Sequence, residues 1–235
     1  MASSVSEPSL LQTKLHRPRL PKDLITRTRL LEWLNKDINH QLILVTAPAG
    51  FGKSTLVGTW LEYLAAGQGE KAACLPAGWL SLDENDSDLN LFLRYFIAAL
   101  RKIFDAACEE TLALLQAHQQ PSLAVLYTTI SNDLAKLPRE VILVLDDYHN
   151  VRNVEIHNLL AKLVRHWPQP LHLVLISRIN PPLPLDRIRA KGNLSEIRTR
   201  DLRFTPEETA AYIHQAQVAH LNPNILPLLE ERFEG

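Results

Sequence analysis

Gln41-Leu-Ile-Leu-Val-Thr46 and Ala47-Pro-Ala-Gly-Phe-Gly-Lys-Ser-Thr55 are the two consecutive segments that decide the fold of this chain. The first is a short, continuously apolar run, which is typical of a strand buried on both faces. The second matches the phosphate-loop pattern G-x-x-x-x-G-K-[ST], with Ala47 in place of the first glycine. A helical pattern of apolar residues follows over 53–64. A strand, this loop and a helix, in this order, predict a P-loop.

Each residue type in the loop has a chemical reason to be there. Gly50 and Gly52 allow backbone torsions that other residues avoid, and their amides can approach a phosphate closely. Lys53 supplies positive charge to the β- and γ-phosphates, and the Ser54 hydroxyl is a ligand for Mg²⁺. No G-x-G-x-x-G pattern is present, which disfavours a dinucleotide loop. The predicted nucleotide-binding residues here are Ala47, Pro48, Ala49, Gly50, Phe51, Gly52, Lys53, Ser54 and Thr55.

Further apolar runs alternate with helical patterns along the chain. Strands are predicted at 141–145 and 171–176, a weaker one at 78–82, and a short one at 194–197. Helices are predicted over 53–64, 89–104, 123–137 and 154–166. This alternation predicts an α/β fold of three layers, with a mostly parallel sheet covered by helices on both faces and right-handed crossovers.

The run Val141-Ile-Leu-Val-Leu145 ends in Asp146-Asp147, as a Walker B strand does. Such a strand delivers its acid to the carboxyl edge of the sheet, where ligands of these folds bind. We expect Asp146 to hold Mg²⁺, directly or through water, and Asp147 to orient or deprotonate the attacking water.

A third signal is Arg178, which follows the apolar run 171–176. If that strand lies between the P-loop strand and the Walker B strand, Arg178 emerges beside the γ-phosphate. A guanidinium fixed there can distinguish a triphosphate from a diphosphate. A solvated arginine at a strand end is the alternative interpretation.

Domain organisation follows from composition and turn signals. Residues 1–22 are rich in serine and proline and predict an extended arm lying on the domain. Residues 23–203 are predicted to form the P-loop NTPase domain. Thr205-Pro206-Glu207-Glu208 resembles a helix start, with threonine as the cap, so 204–235 is expected to begin a helical domain.

The composition of the chain excludes several classes. The 235 residues are 46% hydrophobic and 22% charged, which is ordinary for a globular protein. The net charge of −1 gives no reason to expect nucleic acid or an anionic membrane as the main partner. No apolar run approaches the roughly 18 residues of a membrane span. Two cysteines fit neither a disulfide framework nor a metal site, so the expected compartment is the cytoplasm.

Several segments together resemble the nucleotide-binding part of the MalT-like, ATP-binding LuxR-family transcriptional regulators, which belong to the STAND class of P-loop NTPases. The resemblance runs from about residue 10 to the C-terminus. Its arm, Trp79–Asp83 and Asp146–His149 are more specific to the family than the P-loop itself. The segments that carry it are Thr13–Pro21, Leu24–Arg27, Ala47–Thr55, Trp79–Asp83, Asp146–His149, Leu175–Arg178 and Leu202–Glu207.

The resemblance implies a switch. ADP would hold a resting form, ATP with an inducer would give a form that self-associates, and hydrolysis would reset it. By position, it implies nucleotide and Mg²⁺ binding by Lys53 and Ser54, with Arg178 sensing the γ-phosphate. Arg27 falls at an adenine-side motif, although Leu-Ile-Thr-Arg-Thr-Arg-Leu lacks that motif's glycine and both glutamates.

Alternative functions remain open at this point. The same loop is expected in three other classes of protein. They are an AAA+-like ATPase with steady turnover, a small-molecule P-loop kinase and a nucleotide-binding scaffold without turnover. The family's winged-helix, inducer-binding and DNA-binding helix-turn-helix domains would not fit after Gly235. We therefore expect either a fragment or a short chain that keeps the switch module, with DNA bound only through a domain outside it.

Overall fold

A computed structural model describes residues 10–21, 23–68, 75–117, 119 and 121–215. Within these residues one sheet of five parallel strands forms the centre of the fold, in the order β2-β3-β4-β1-β5. The strands are β1 (Leu42–Thr46), β2 (Ala77–Ser81), β3 (Val141–Asp146), β4 (Leu171–Ser177) and β5 (Leu194–Arg198). All of them lie within a residue or two of the predicted runs.

Helices connect these strands and cover both faces of the sheet. Short 3₁₀ turns also occur at Gln12–Leu15, Glu84–Ser87 and Tyr148–Asn150. The α-helices are α1 (Thr28–Lys36), α2 (Lys53–Ala65), α3 (Leu89–Arg101), α4 (Glu109–Gln116), α5 (Leu123–Ala135), α6 (Val154–Arg165), α7 (Leu185–Ala190) and α8 (Pro206–Gln215).

The strand side chains separate into two apolar layers. In β1, Ile43 and Val45 pack in the cluster that holds α1 and α2, whereas Leu42 and Leu44 face the cluster of α3, α5 and α6. Successive side chains of a strand point to opposite faces, so a strand with both faces covered is apolar throughout. The predicted three-layer α/β fold is confirmed.

Two predicted helices end earlier than expected. The helix predicted to reach Phe104 ends at Arg101, because the amides of Ile103 and Phe104 both donate to the carbonyl of Leu100 and turn the chain. The helix predicted to reach residue 137 ends at Ala135. The separate helix α4 corresponds to none of the helical patterns singled out in the sequence.

The strand order places the polar ends of three segments together. β4 lies between β1 and β3, as the Arg178 hypothesis required. The amide of Leu82, just after β2, donates to the carbonyl of Asp146 at 3.0 Å. The end of β3 is therefore held by its neighbour at the carboxyl edge of the sheet, where ligands of open parallel sheets bind.

The two segments that flank the central fold both contact it. In the arm, Lys14 donates to the buried carboxylate of Asp86 at 2.7 and 2.8 Å. Arg17 donates to the carbonyl of Gly58 in α2. The division into domains at 22/23 and 203/204 stays a prediction, and residues 1–9 and 216–235 lie outside the described residues.

Helix α8 starts as the sequence predicted. The Thr205 hydroxyl accepts from the amide of Glu208 at 3.2 Å, and the Glu208 carboxylate accepts from the amide of Thr205 at 3.1 Å. This reciprocal pair is a capping box, which satisfies amides that the first turn of a helix leaves unpaired.

None of the helices in the described part of the chain is long and apolar enough to cross a membrane.

Candidate functional site

The P-loop connects β1 to α2 through two left-handed glycines. Gly50 has φ of 87° and Gly52 has φ of 70°, and Gly52 is the cap of α2. L-residues with side chains rarely adopt this region, so both positions require glycine. Ala47 has no such torsion and is buried at the end of β1, with its amide donating to the carbonyl of Ser177. This explains why alanine is tolerated where the pattern has its first glycine.

Lys53 is the first residue of α2 and is 7% exposed. Its ammonium donates to the carbonyl of Pro48 at 2.8 Å, so the side chain folds back over the loop. Burial lowers the pKa of Lys53 below its ordinary value, while the nearby carboxylate of Asp147 opposes that shift. The helix N-terminus and this cation together create a positive environment suited to phosphates.

Ser54 and Asp146 meet across the loop. The Ser54 hydroxyl donates to Oδ1 of Asp146 at 2.9 Å, although the two residues are 92 positions apart in the chain. Asp146 is 4% exposed, and burial raises its pKa to about 6. Hard cations such as Mg²⁺ prefer oxygen ligands, and a bound cation offsets the cost of a buried carboxylate. This hydroxyl and this carboxylate therefore fit a Mg²⁺ site.

Asp147 differs from Asp146 in both conformation and exposure. Its φ is 55°, a left-handed torsion that aspartate and asparagine tolerate better than most residues. Its side chain is 45% exposed, and its amide donates to Oδ1 of Asp146 at 3.0 Å. The chain thus turns sharply after β3 and presents a second carboxylate to solvent beside the buried one. Such a carboxylate is able to contact water.

His149 also lies at this end of the site. Its Nδ1 is 3.8 Å from Oδ1 of Asp147 and is buried, with no hydrogen-bond partner among the described residues. Burial lowers the pKa of His149 below its ordinary value. The neutral ring is therefore favoured beside the two acids.

Arg178 emerges where β4 ends, between β1 and β3. Its side chain is exposed. Burial is the main cause that lowers the pKa values of Lys53 and His149, and the positive charge of Arg178 lowers both further. The structure thus brings Lys53, Asp147 and Arg178 close enough to influence one another electrostatically.

A cavity of about 240 Å³ opens beside the P-loop. We call it the base-side pocket because Arg27, the predicted adenine-side residue, lines it. Arg27 also donates to the carbonyl of Arg203 at 2.7 Å and pairs with Glu208 at 3.2 Å. The lining residues are Asp23, Leu24, Ile25, Arg27, Leu31, Gly50, Phe51, Gly52, Thr55, Leu56, Thr59, Leu202, Phe204 and Tyr212.

The two ends of the candidate site were not equally visible in the sequence. The phosphate end, which comprises Lys53, Ser54, Asp146, Asp147 and Arg178, consists of residues that the motifs had named. At the base end, Phe204 and Tyr212 line the pocket but were given no site role. The segment Leu202–Glu207 had contributed to the resemblance, which was the one signal available.

Comparison with known proteins identifies relatives of this chain. The family model described as Nephrocystin 3, N-terminal matches residues 22–178. The HTH-type transcriptional regulator MalT of Serratia proteamaculans is 36% identical over 226 residues, which cover 96% of this chain and 24% of that protein. MalT of Cronobacter sakazakii is 37% identical over 203 residues, covering 86% of this chain and 21% of that protein. The chain spans about a quarter of the length of these curated relatives.

Solved structures share the fold at low identity. A Signal Transduction ATPase with Numerous Domains (STAND) protein with a tetratricopeptide repeat sensor from Pyrococcus horikoshii has a TM-score of 0.61 at 15% identity, covering 92% of this chain and 28% of that one. Cdc6p from Pyrobaculum aerophilum has a TM-score of 0.53 at 13% identity, covering 89% of this chain and 54% of that one. These likenesses bear on the fold alone.

The family match extends from residue 22 to Arg178 and includes the P-loop, Asp146 and Asp147. The MalT relatives extend the match over most of the chain. The chain therefore belongs to the Nephrocystin 3, N-terminal family, and over most of its length it is similar to one part of the MalT regulators.

Proposed function

We propose that this chain is an ATP- and ADP-binding switch with slow, Mg²⁺-dependent ATP hydrolysis, and that it serves as the regulatory NTPase module of a MalT-type transcriptional regulator. The observation that carries the proposal is the 2.9 Å contact between the Ser54 hydroxyl and Asp146. It joins the P-loop to the acid at the end of β3, which is the arrangement that a Mg²⁺-nucleotide site requires.

In this proposal the residues of the phosphate end divide the chemistry. The amides of the P-loop and the ammonium of Lys53 bind the β- and γ-phosphates, which replace Pro48 as partners of that ammonium. Ser54 and Asp146 would hold Mg²⁺, which when bound neutralises charge on the phosphates. Asp147 orients the attacking water and accepts its proton, a role that its solvent-exposed carboxylate supports.

Arg178 is proposed as the sensor of the γ-phosphate. Its position at the end of β4, beside the P-loop strand, supports this role. A charged hydrogen bond made only to the γ-phosphate would stabilise the ATP state and not the ADP state. That difference is what a switch needs, because a ligand shifts an equilibrium only by its differential affinity for the two states.

Slow hydrolysis is expected from the exposure of the phosphate end. Within the described residues the side chains of Asp147 and Arg178 both reach solvent. Water exclusion strengthens electrostatic stabilisation of a transition state, and it often requires closure by further elements. We therefore expect hydrolysis by this chain to be slower than in a form with closing domains.

The proposed partners follow from the same assignment. Self-association in the ATP state is proposed by analogy with the family. DNA binding is assigned to a separate helix-turn-helix domain, because the relatives are HTH-type regulators. The net charge of −1 supports weak and salt-sensitive DNA binding at most by this chain. The proposed compartment is the cytoplasm, where a transcriptional regulator of bacteria acts.

Calorimetry and single-turnover kinetics on the 235-residue chain test the proposal. We expect Mg²⁺-dependent binding of both ATP and ADP, and phosphate release that is slow compared with nucleotide binding. Binding without any phosphate release would favour a nucleotide-binding scaffold, and rapid multiple turnover would favour an AAA+-like ATPase. Absence of binding to both nucleotides would overturn the proposal.

A further inference from the structure

Two aromatic side chains of the base-side pocket are exposed. Phe204 is 37% exposed and Tyr212 is 51% exposed, whereas the large apolar side chains of the central fold are mostly buried. Their ring centroids are 6.2 Å apart, with the planes at 33°. Both rings line the cavity next to Gly50, Phe51 and Gly52 of the P-loop. The pocket thus carries flat apolar surface at one end and phosphate-binding backbone at the other.

Glu208, which lies between Phe204 and Tyr212 in the chain, pairs with two arginines. Its carboxylate accepts from Arg27 at 3.2 and 3.3 Å and from Arg29 at 3.1 and 3.3 Å. Its side chain is largely buried. Although burial opposes ionisation, the hydrogen bonds from the Thr205 amide and the two arginines hold the pKa of Glu208 below its ordinary value. The same carboxylate closes the capping box of α8. A single acid therefore ties the start of α8 to the segment at 27–29.

The two arginines fix the chain on the other side of Phe204. Both donate to the carbonyl of Arg203, Arg27 at 2.7 Å and Arg29 at 2.8 Å. The guanidinium of Arg27 also lies 4.8 Å from the centroid of the Phe204 ring. The backbone on one side of Phe204 is thus held by hydrogen bonds to Arg203, and the Phe204 ring itself has a cation–π contact with Arg27.

We infer that Phe204 and Tyr212 contact the nucleotide base and set nucleotide affinity at this end, and that Glu208 is the residue that positions them through Arg27 and Arg29. The inference rests on the proposed binding of ATP and ADP. Aromatic rings gain free energy by stacking on a base, whatever its hydrogen-bonding edge. A base held between the P-loop side and α8 also links nucleotide binding to the docking of α8, and this linkage is reciprocal.

Ligands with and without a base separate this role from phosphate binding. We would titrate the Mg²⁺-loaded chain with ADP and with inorganic tripolyphosphate. Phe204→Ala and Tyr212→Ala should each weaken ADP about tenfold and leave tripolyphosphate unchanged. Tyr212→Phe keeps the ring and should recover most of the ADP affinity that Tyr212→Ala loses. His214→Ala, which removes an exposed ring from the same helix, is the matched control and should change neither ligand.

Three outcomes would overturn the inference. They are unchanged ADP affinity in both alanine variants, an equal loss for ADP and tripolyphosphate, and a loss in His214→Ala as large as in Tyr212→Ala. Tripolyphosphate binding in the same sample also reports whether the P-loop is folded. If the wild type binds neither ATP nor ADP, the proposed function itself fails. If the wild type binds ADP and both alanine variants bind it equally well, only the present inference fails.

The positioning role of Glu208 has its own test. Glu208→Gln removes the charge that holds both arginines, whereas Glu207→Gln removes a neighbouring charge that forms no ion pair with either. Glu208→Gln should lower the ratio of ADP to tripolyphosphate affinity several-fold and abolish the slowing of amide exchange in α8 that ADP produces. Glu207→Gln should preserve both. Equal behaviour of the two variants would show that Glu208 only supports the fold.

Discussion

The phosphate end and the base end of the site are held together by different forces. At the phosphate end, Lys53 begins α2, Asp146 ends β3 and Arg178 follows β4, so their positions are determined by strand pairing and core packing. At the base end, Arg27 and Glu208 are 181 positions apart and meet through side-chain contacts. The first end is part of the core, and the second is assembled by ion pairs and hydrogen bonds.

This difference has a consequence for dynamics. Buried strands and their pairs open only with the whole domain, whereas regions with exposed contacts open at lower free-energy cost. We therefore expect the phosphate end to stay formed while the base end opens and closes with α8. Variants that affect one end without the other test this separation.

Asp147→Asn should slow ATP hydrolysis by about 10²–10⁴-fold, the usual contribution of a positioned general base. Asparagine tolerates the left-handed torsion at this position, so the turn after β3 is kept. Single-turnover phosphate release measures the effect, and calorimetry should show Mg²⁺-ATP binding retained. An unchanged rate would place the base elsewhere, and loss of binding would mean that the two acids have exchanged roles.

Lys53→Ala should weaken ATP, ADP and tripolyphosphate together, by at least tenfold and ~1.4 kcal/mol. The reason is that Lys53 contributes charge to the phosphates and contacts only the Pro48 carbonyl among the hydrogen-bond partners described. Calorimetry with the three ligands measures it. The contrast with Tyr212→Ala, which should affect ADP and spare tripolyphosphate, is the sharpest test of two separate ends. Unchanged affinity for all three ligands would contradict the P-loop assignment.

The same contrast explains what the sequence could predict. The P-loop and the acids after β3 are local patterns, and buried strands are continuous apolar runs, so the fold and the phosphate end could be predicted. The weak pattern at β2 has a packing reason: a side chain at Gly78 would meet the carbonyl oxygen of Ala99 at 3.0 Å. Glycine allows this close packing, but it has no side chain that would add to the apolar pattern of a strand.

The base end could not be predicted by the same reasoning. Phe204 and Tyr212 line one pocket with Arg27, which pairs with Glu208 across 181 positions of the chain. Pairwise contacts over such a separation leave no periodicity in one sequence. Arg27 was named through the resemblance alone. The roles of all the predicted site residues stay predictions, because geometry brings side chains together without showing what they bind.

Asp146→Asn should stabilise the metal-free protein in a pH-dependent way. The pKa of Asp146 is raised to about 6 by burial, so the folded chain binds more protons than the unfolded chain between about pH 4 and pH 6. Wild-type stability therefore falls as pH rises through this window. Asparagine keeps the acceptor oxygen for Ser54 and does not ionise.

The gain in the free energy of unfolding should be near zero at pH 4 and reach roughly 2 kcal/mol at pH 7. Denaturant unfolding without Mg²⁺ or nucleotide measures it. Adding Mg²⁺ with ADP should stabilise the wild type more than the variant, because ligands stabilise only the state that binds them. A gain that is the same at pH 4 and pH 7 would mean that the carboxylate is not the source of the effect.

Arg178→Ala should produce the smallest and most selective change. We expect ATP affinity to fall about fivefold, ~1 kcal/mol, with ADP affinity unchanged, since a charged hydrogen bond at an exposed position contributes less than a buried one. Arg200→Ala removes an exposed arginine shortly after β5 and is the matched control, which should change neither nucleotide. Calorimetry in low and high salt measures both variants, and the selective loss should shrink as salt screens the guanidinium.

Because Arg178 is fixed by the end of β4, its effect should persist in Tyr212→Ala, so the two losses should add for ATP. Equal losses of ATP and ADP in Arg178→Ala would make this arginine a structural residue, and losses that fail to add would mean that the phosphate and base ends form one cooperative unit.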